Sequence, residues 1–96
     1  MSLHYILDGK TPIAIDDILS WARYVGSATH HVALTKHGDI RVSTVFLGLD
    51  HSYGDGPPLL FETMIFGGPH DEYQERYSTW DEAEEGHKRA CALAGI

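Results

Sequence analysis

The chain is short and acidic, and these two properties already exclude several classes of protein. Its 96 residues, 43% of them apolar, suffice for one hydrophobic core and not for two, so we expect a single domain over residues 1–96. The net charge is −7, and the seven Lys and Arg residues form no stripe, so nucleic acid is not an expected partner. The single cysteine, Cys91, excludes an internal disulfide and a cysteine-rich zinc site within one chain.

Membrane and secretion signals are missing from the sequence pattern. No segment approaches the roughly 20 apolar residues that a membrane-spanning helix needs. Residues 1–9 lack both the basic start and the long apolar run of a secretory signal peptide. We therefore expect no membrane partner and a cytoplasmic location.

The first predicted elements in chain order are a strand and a helix. Alternating side chains over residues 3–8, followed by the turn signal Asp8-Gly9, predict a short strand. Residues 12–14 then lead into two carboxylates suited to the positive end of a helix, which we expect over residues 16–25. The stripe that should face the core consists of Ile15, Ile18, Leu19, Ala22 and Val25. Trp21 and Tyr24 fall on its other side, as additional core residues or as an interface.

Four further strands are predicted in the middle of the chain. A tight turn at residues 37–39 joins a strand over residues 30–36 to one over residues 40–49. A polar loop, residues 50–58, leads to a strand over residues 59–66. These last two strands are apolar on both faces, so we expect them to be adjacent and central in the sheet. Residues 73–78 are more polar and predict an edge strand.

The last element is a helix with a clear start signal. Thr79 and Glu82 fit a capping box, which predicts a helix over residues 80–93. Its apolar stripe consists of Trp80, Ala83, His87, Ala90, Cys91 and Ala94. The element order β-α-β-β-β-β-α with short connections predicts an α+β fold, in which two helices pack on one face of an antiparallel sheet of four to five strands.

Five residues are candidates for binding. Glu62 lies on an apolar face of a predicted strand and needs a partner; Arg41 or Arg76 could neutralise it, or position 62 could be partly solvated, and we prefer these structural interpretations to a functional acid. His87 lies on the apolar side of the last helix, where most histidines are hydrogen-bonded core residues.

The loop after the central strand supplies the other three candidates. Asp50 and His51 end a rigid strand yet reach solvent, and Tyr53 lies in the same loop. If His51 and His87 converged with Asp50 or Glu62, the ligands would suit a divalent metal. No HExxH or HxH pattern supports such a site, so we expect neither a cofactor nor catalytic residues.

The region around the last helix is strongly acidic. Residues 71–89 contain seven carboxylates against three cations. We interpret this excess as a solvated helix face, and a docking surface for a basic partner is the alternative.

Several stretches carry a family resemblance. VSTVFLGLDHSYGDGPPLLFETMIFGGP followed by RYSTWDEAEEGH, with HYILDGKTP and HVALT upstream, resembles a family of small proteins encoded by bacteriophages and prophages. The resemblance covers nearly the whole chain. It implies a phage accessory protein that acts in the bacterial cytoplasm, and it implies no catalytic residues.

Two classes of function follow from these observations. The first is a non-enzymatic binding protein that captures a host protein or a small molecule, either as a monomer or as a homo-oligomer. The alternative is a small metal-dependent hydrolase that uses Asp50, His51, Glu62 and His87. The small size and the lack of a catalytic motif favour the binding protein.

Overall fold

A computed structural model describes residues 3–27, 30–52, 54 and 56–96 of the chain. Its elements are β1 (Tyr5–Asp8), β2 (Thr11–Ala14), α1 (Ile18–Ser27), β3 (His31–His37), β4 (Ile40–Phe46), β5 (Phe61–Phe66), β6 (Gln74–Tyr77) and α2 (Trp80–Ala94). The predicted α+β class and the predicted order of elements are confirmed, and the structure adds the short strand β2. No helix in this part of the chain is both long and apolar enough to cross a bilayer.

Strands β3 to β6 form one antiparallel sheet in chain order. The predicted pairing of the two most apolar segments is confirmed, since Val42 of β4 lies opposite Ile65 of β5. Strand β4 ends at Phe46 rather than at residue 49, because Gly48 takes a left-handed conformation with φ of +76°. Its carbonyl accepts a hydrogen bond from the Tyr5 N–H at 2.8 Å, so the extension beyond β4 pairs with the start of β1.

Strands β1 and β2 form a separate two-stranded hairpin, where the sequence predicts only one strand and a lead-in to the helix. Gly9, with φ of +63°, makes the turn, and Asp8 and Leu7 lie opposite Thr11 and Pro12. A proline is tolerated here because each strand of a two-stranded ribbon has one side without a ladder partner. The turn signal at Gly9 therefore marks a hairpin rather than the end of an isolated strand.

Helix α1 faces the core mainly with Trp21 and Tyr24, and the predicted stripe is only partly correct, because Val25 is half-buried but most of the stripe is exposed. Ile18 and Leu19 are 56% and 66% exposed, whereas Trp21 and Tyr24 are half-buried. The Trp21 Nε1–H donates to the Gly48 carbonyl at 2.9 Å. The aromatic side of α1 packs inward because two large rings cover more apolar surface, and because the indole finds an acceptor there.

Helix α2 begins with the predicted capping box. The Thr79 hydroxyl accepts from the Glu82 N–H, and the Glu82 carboxylate accepts from the Thr79 N–H, both at 3.1 Å. Gly95 caps the other end in a left-handed conformation with φ of +78°. The buried side of α2 consists of Ala83, His87 and Ala90, which belong to the predicted stripe, and of Gly86, which does not.

Both helices pack on the same face of the four-stranded sheet, as predicted. Ala83 and Ala90 of α2 lie in two core clusters with side chains of β4 and β5. Tyr24 of α1 packs edge-on against Phe46, with ring centroids 6.4 Å apart. We call this the covered face, and its fully buried side chains include Val42. Neither helix reaches the other face of the sheet.

Candidate functional site: the open face of the sheet

The face of the sheet that α1 and α2 leave uncovered is the candidate functional site, and we call it the open face. Because side chains alternate along a strand and opposed residues share a face, strand register assigns its members. They form three cross-strand rows: Lys36, Arg41 and Phe66; Leu34, Ser43, Met64 and Gln74; and His31, Val45, Glu62 and Arg76.

The first row places two cations directly opposite each other. Lys36 faces Arg41 across the β3–β4 pair, where side chains start only about 5 Å apart. Like charges in this arrangement destabilise a sheet. Within the described residues, neither cation belongs to an ion pair. The Arg41 guanidinium instead lies over the Phe66 ring, 4.4 Å from its centroid.

The middle row is half apolar, and two of its residues, Leu34 and Ser43, line a concavity. Leu34 is 45% exposed, Phe66 of the first row is 36% exposed, and Ser43 and Met64 are half-buried. The concavity has a volume of about 310 Å³. Its lining consists of His31, Leu34, Lys36, Arg41, Ser43, Val45 and Phe66. This surface therefore combines apolar side chains with two unpaired cations.

The third row contains Glu62, which has the structural partner that the sequence analysis favours. Arg76 on β6 lies opposite Glu62, and its Nε donates to Glu62 Oε2 at 3.0 Å. The Gln74 side-chain amide donates to the same oxygen. The prediction that β4 and β5 are adjacent and central in the sheet is confirmed. Their second face is not a second core, because Glu62 shares it with the exposed Phe66. Met64 and Phe66, the apolar residues of β5 on the same face as Glu62, give this face the sequence pattern of a buried one.

The charge of the open face is opposite to that of the whole chain. The face carries three of the seven Lys and Arg residues, namely Lys36, Arg41 and Arg76. Among the residues of strands β3 to β6, Glu62 is its one carboxylate. The strand residues of the open face thus carry a charge of +2 in a chain whose net charge is −7.

His87 lies on the covered face and is a hydrogen-bonded core residue. Its Nδ1 lies 2.8 Å from Thr44 Oγ1, and its Nε2 lies 2.9 Å from Thr35 Oγ1. Thr44 in turn contacts Thr63 through their hydroxyls at 2.5 Å. Burial lowers the pKa of His87, which keeps the ring neutral between the two hydroxyls. The imidazole links β3, β4 and α2, which is a structural task.

Asp50 organises the loop after β4. Its Oδ1 accepts from the Ser52 N–H at 2.8 Å and from the Leu59 N–H at 3.0 Å. Partial desolvation acts to raise the pKa of Asp50, but hydrogen bonds from the Ser52 side chain and from the Ser52 and Leu59 N–H groups outweigh it and lower the pKa. The His51 N–H donates to the Leu59 carbonyl at 3.0 Å. Tyr53, the remaining candidate, lies outside the described residues.

The structure places two of the candidates, Glu62 and His87, on opposite faces of the sheet. Glu62 lies on the open face, whereas the adjacent Thr63 points to the covered face, where His87 is buried. Across the described ranges, no group of three or more His, Cys, Asp or Glu side chains is placed to hold a metal ion. A metal site shared by Glu62 and His87 is therefore not formed.

Lys36, Arg41 and Phe66 are the site residues that the sequence analysis misses. The signal for the two cations is the tight turn after β3: residues 37 and 40 close the hairpin, which puts residues 36 and 41 opposite each other. The alternation of side chains along the strands also places Arg41, Glu62 and Arg76 on one face. Charged residues on neighbouring strands therefore indicate that this face is not covered by the helices.

Comparisons with protein families, with curated proteins and with solved structures find no match to this chain. The resemblance to phage-encoded proteins therefore stays a prediction.

Proposed function

We propose that this protein is a non-enzymatic binding protein, and that the open face is its recognition surface for a partner protein. One observation carries the proposal: the uncovered face is positive and partly apolar in a chain whose net charge is −7. Apolar side chains with arginine are typical of the centres of protein interfaces. The phage resemblance makes a bacterial host protein the partner class that we favour.

The open face contributes less to folding than the covered face does. Leu34 and Phe66 keep about half and a third of their surfaces in water, so their burial stabilises the fold little. The Lys36–Arg41 pair opposes folding. The presence of side chains that stabilise the isolated chain weakly, or destabilise it, is explained if they contact another molecule.

The concavity favours a protein partner over a small molecule. It lies on the surface of a sheet between side chains that are themselves exposed, such as Leu34 and Phe66. Small-molecule sites bury most of the ligand surface in a cleft, which this geometry does not provide. The surface of a partner protein is large enough to cover all three cross-strand rows of the open face at once.

Site-specific photo-crosslinking in a bacterial lysate tests the proposal. A photoreactive residue replaces Ser43 on the open face or, as a control, the exposed Ala92 on α2. We expect a distinct adduct from position 43 alone. An excess of unlabelled wild-type protein should reduce the yield of this adduct by competition. The same excess of the folded variant Leu34→Ser/Phe66→Ser should leave the yield unchanged.

Two results would overturn the assignment of the open face. One is an adduct that forms equally from positions 43 and 92. The other is competition by the double variant as effective as competition by the wild type, since that variant lacks the apolar part of the surface.

A further inference from the structure

We propose that Lys36 and Arg41 together anchor a carboxylate of an extended acidic segment in the partner, while Leu34 takes an apolar side chain of the same segment. This inference rests on the proposed function, because it assigns a ligand chemistry to the open face. It concerns the row of Lys36, Arg41 and Phe66 and its neighbour Leu34.

The first argument is the unneutralised charge. Lys36 and Arg41 repel each other from directly opposed positions, and in the part of the chain that the structure describes no carboxylate pairs with either. By contrast, the third cation of the open face, Arg76, is paired with Glu62. An incoming carboxylate between Lys36 and Arg41 would convert a repulsion into two charge-assisted hydrogen bonds.

The second argument is the geometry of Arg41. Its guanidinium lies over the Phe66 ring, which holds the planar group against the sheet. A guanidinium over an aromatic ring keeps N–H groups available as donors, and their spacing matches the two oxygens of a carboxylate. Phe66 therefore orients the donor before the ligand arrives, which reduces the entropy lost on binding.

The third argument is the spacing along β3. Leu34 and Lys36 lie on the same face two residues apart, which is about 7 Å in an extended chain. A partner segment in extended conformation repeats its side chains on one face at the same interval. A carboxylate at one position and an apolar side chain two residues away would thus meet Lys36 and the 45% exposed Leu34 together.

Charge favours an acidic peptide over a nucleic acid. A single strand of nucleic acid carries one phosphate per nucleotide, so binding would bring many charges to a chain with a net charge of −7. The face offers two unpaired cations, which suit one or two carboxylates. The occupant to which the structure points is therefore an extended segment that carries an acidic and an apolar residue two positions apart.

The test uses three defined probes, with binding followed by amide chemical shifts of the isotope-labelled protein. The first probe is a blocked octapeptide, Asp-Ser-Val-Ser-Asp-Ser-Val-Ser, which in extended conformation presents Asp and Val in turn on one face. The second probe has Asn for Asp, and the third is a single-stranded octanucleotide. We expect the acidic peptide to shift amides of β3 and β4 and the Asn peptide to bind at least about tenfold more weakly. Raising the salt concentration should weaken the acidic peptide further.

Two variants with the same net charge provide the matched comparison. Lys36→Gln/Arg41→Gln removes the anchor, and Arg23→Gln/Lys88→Gln removes two exposed cations on the helices. The first variant should weaken binding of the acidic peptide at least about tenfold, and the second should leave it nearly unchanged.

The outcomes separate the anchor from the recognition surface. Equal losses in both variants, tighter binding of the octanucleotide, or no binding of the acidic peptide would overturn the anchor. If the acidic peptide shifts open-face amides but binds the variant Lys36→Gln/Arg41→Gln as tightly as the wild type, the anchor is wrong and the recognition surface stands. Shifts confined to the helices would overturn both proposals.

Discussion

Val42 and Ser43 are neighbours in β4, yet the first is fully buried under α2 and the second lies half-buried on the open face. The same difference runs through the whole sheet. Over β4 and β5, the covered face carries uncharged side chains that pack or hydrogen-bond, such as Phe61 and the Thr44–His87 pair. The open face carries cations and exposed apolar groups. One face therefore stabilises the fold, and the helices leave the other uncovered.

The largest expected effect compares two phenylalanines on opposite faces. Phe46→Ala should lower the free energy of unfolding by about 3–5 kcal/mol, because Phe46 is 5% exposed within the core. Phe66→Ala should cost about 1 kcal/mol, which is the order expected for its exposed contact with Arg41. Urea denaturation of both variants measures the difference. Equal losses would mean that the open face is packed like the core.

A smaller effect is expected at the contact between α2 and the covered face. The Tyr77 phenol packs directly against Gly86, so a Cβ at this position would overlap the ring. Gly86→Ala should therefore destabilise the protein by about 1–3 kcal/mol, the range for overpacking. Gly26→Ala is the control, because a Cβ there meets open space; it should be neutral or stabilise by about 0.5–1 kcal/mol. Thermal unfolding that ranks the two variants in reverse order would contradict this packing.

Stability should depend on pH through His87. Burial lowers its pKa in the folded state, so below the ordinary pKa of 6.5 the unfolded chain binds a proton that the folded chain does not. The contribution of His87 to stability is therefore complete above pH 6.5 and falls as the pH drops toward the lowered pKa. One proton gives a slope of at most about 1.4 kcal/mol per pH unit. Denaturation between pH 7.5 and 5.5 should show a steeper decline for the wild type than for His87→Gln; identical slopes would assign the effect to other groups.

The smallest expected effect is a gain in stability on the open face. Lys36→Glu replaces a repulsive pair by an attractive one opposite Arg41, which should add about 0.2–1 kcal/mol at low salt. The gain should vanish at about 1 M salt, where the screening length is roughly 3 Å. Loss of stability at low salt would show that Lys36 has a stabilising partner in the folded chain.

The parts of the fold that the sequence predicts are those with a strong local signal. The Thr79–Glu82 capping box locates α2, and the short turn after β3 locates the β3–β4 pair. Such features depend on a few adjacent residues, so tertiary contacts do not alter them.

The errors come from features that tertiary contacts decide. Helix α1 is apolar on two sides, and the acceptor at Gly48 for the Trp21 N–H selects the aromatic side. The face of Met64 and Phe66 is apolar enough to resemble a core, but only two helices are available and both pack on the other face. The opposed positions of Lys36 and Arg41 could be predicted from the register of the β3–β4 hairpin. The groups that these two cations contact could not be predicted from hydrophobic periodicity.

The central claim is that one sheet has a face closed by helices and a face open to partners, and thiol labelling of adjacent residues in β4 tests it most directly. In a Cys91→Ala background, Ser43→Cys on the open face is compared with Val42→Cys on the covered face. We predict that the thiol at position 43 reacts faster by a factor of about one hundred or more, because position 42 becomes accessible only through opening of the core. In 8 M urea, as control, both thiols should react alike, since neither is then protected. Similar rates in the folded protein, whether both fast or both slow, would contradict the account.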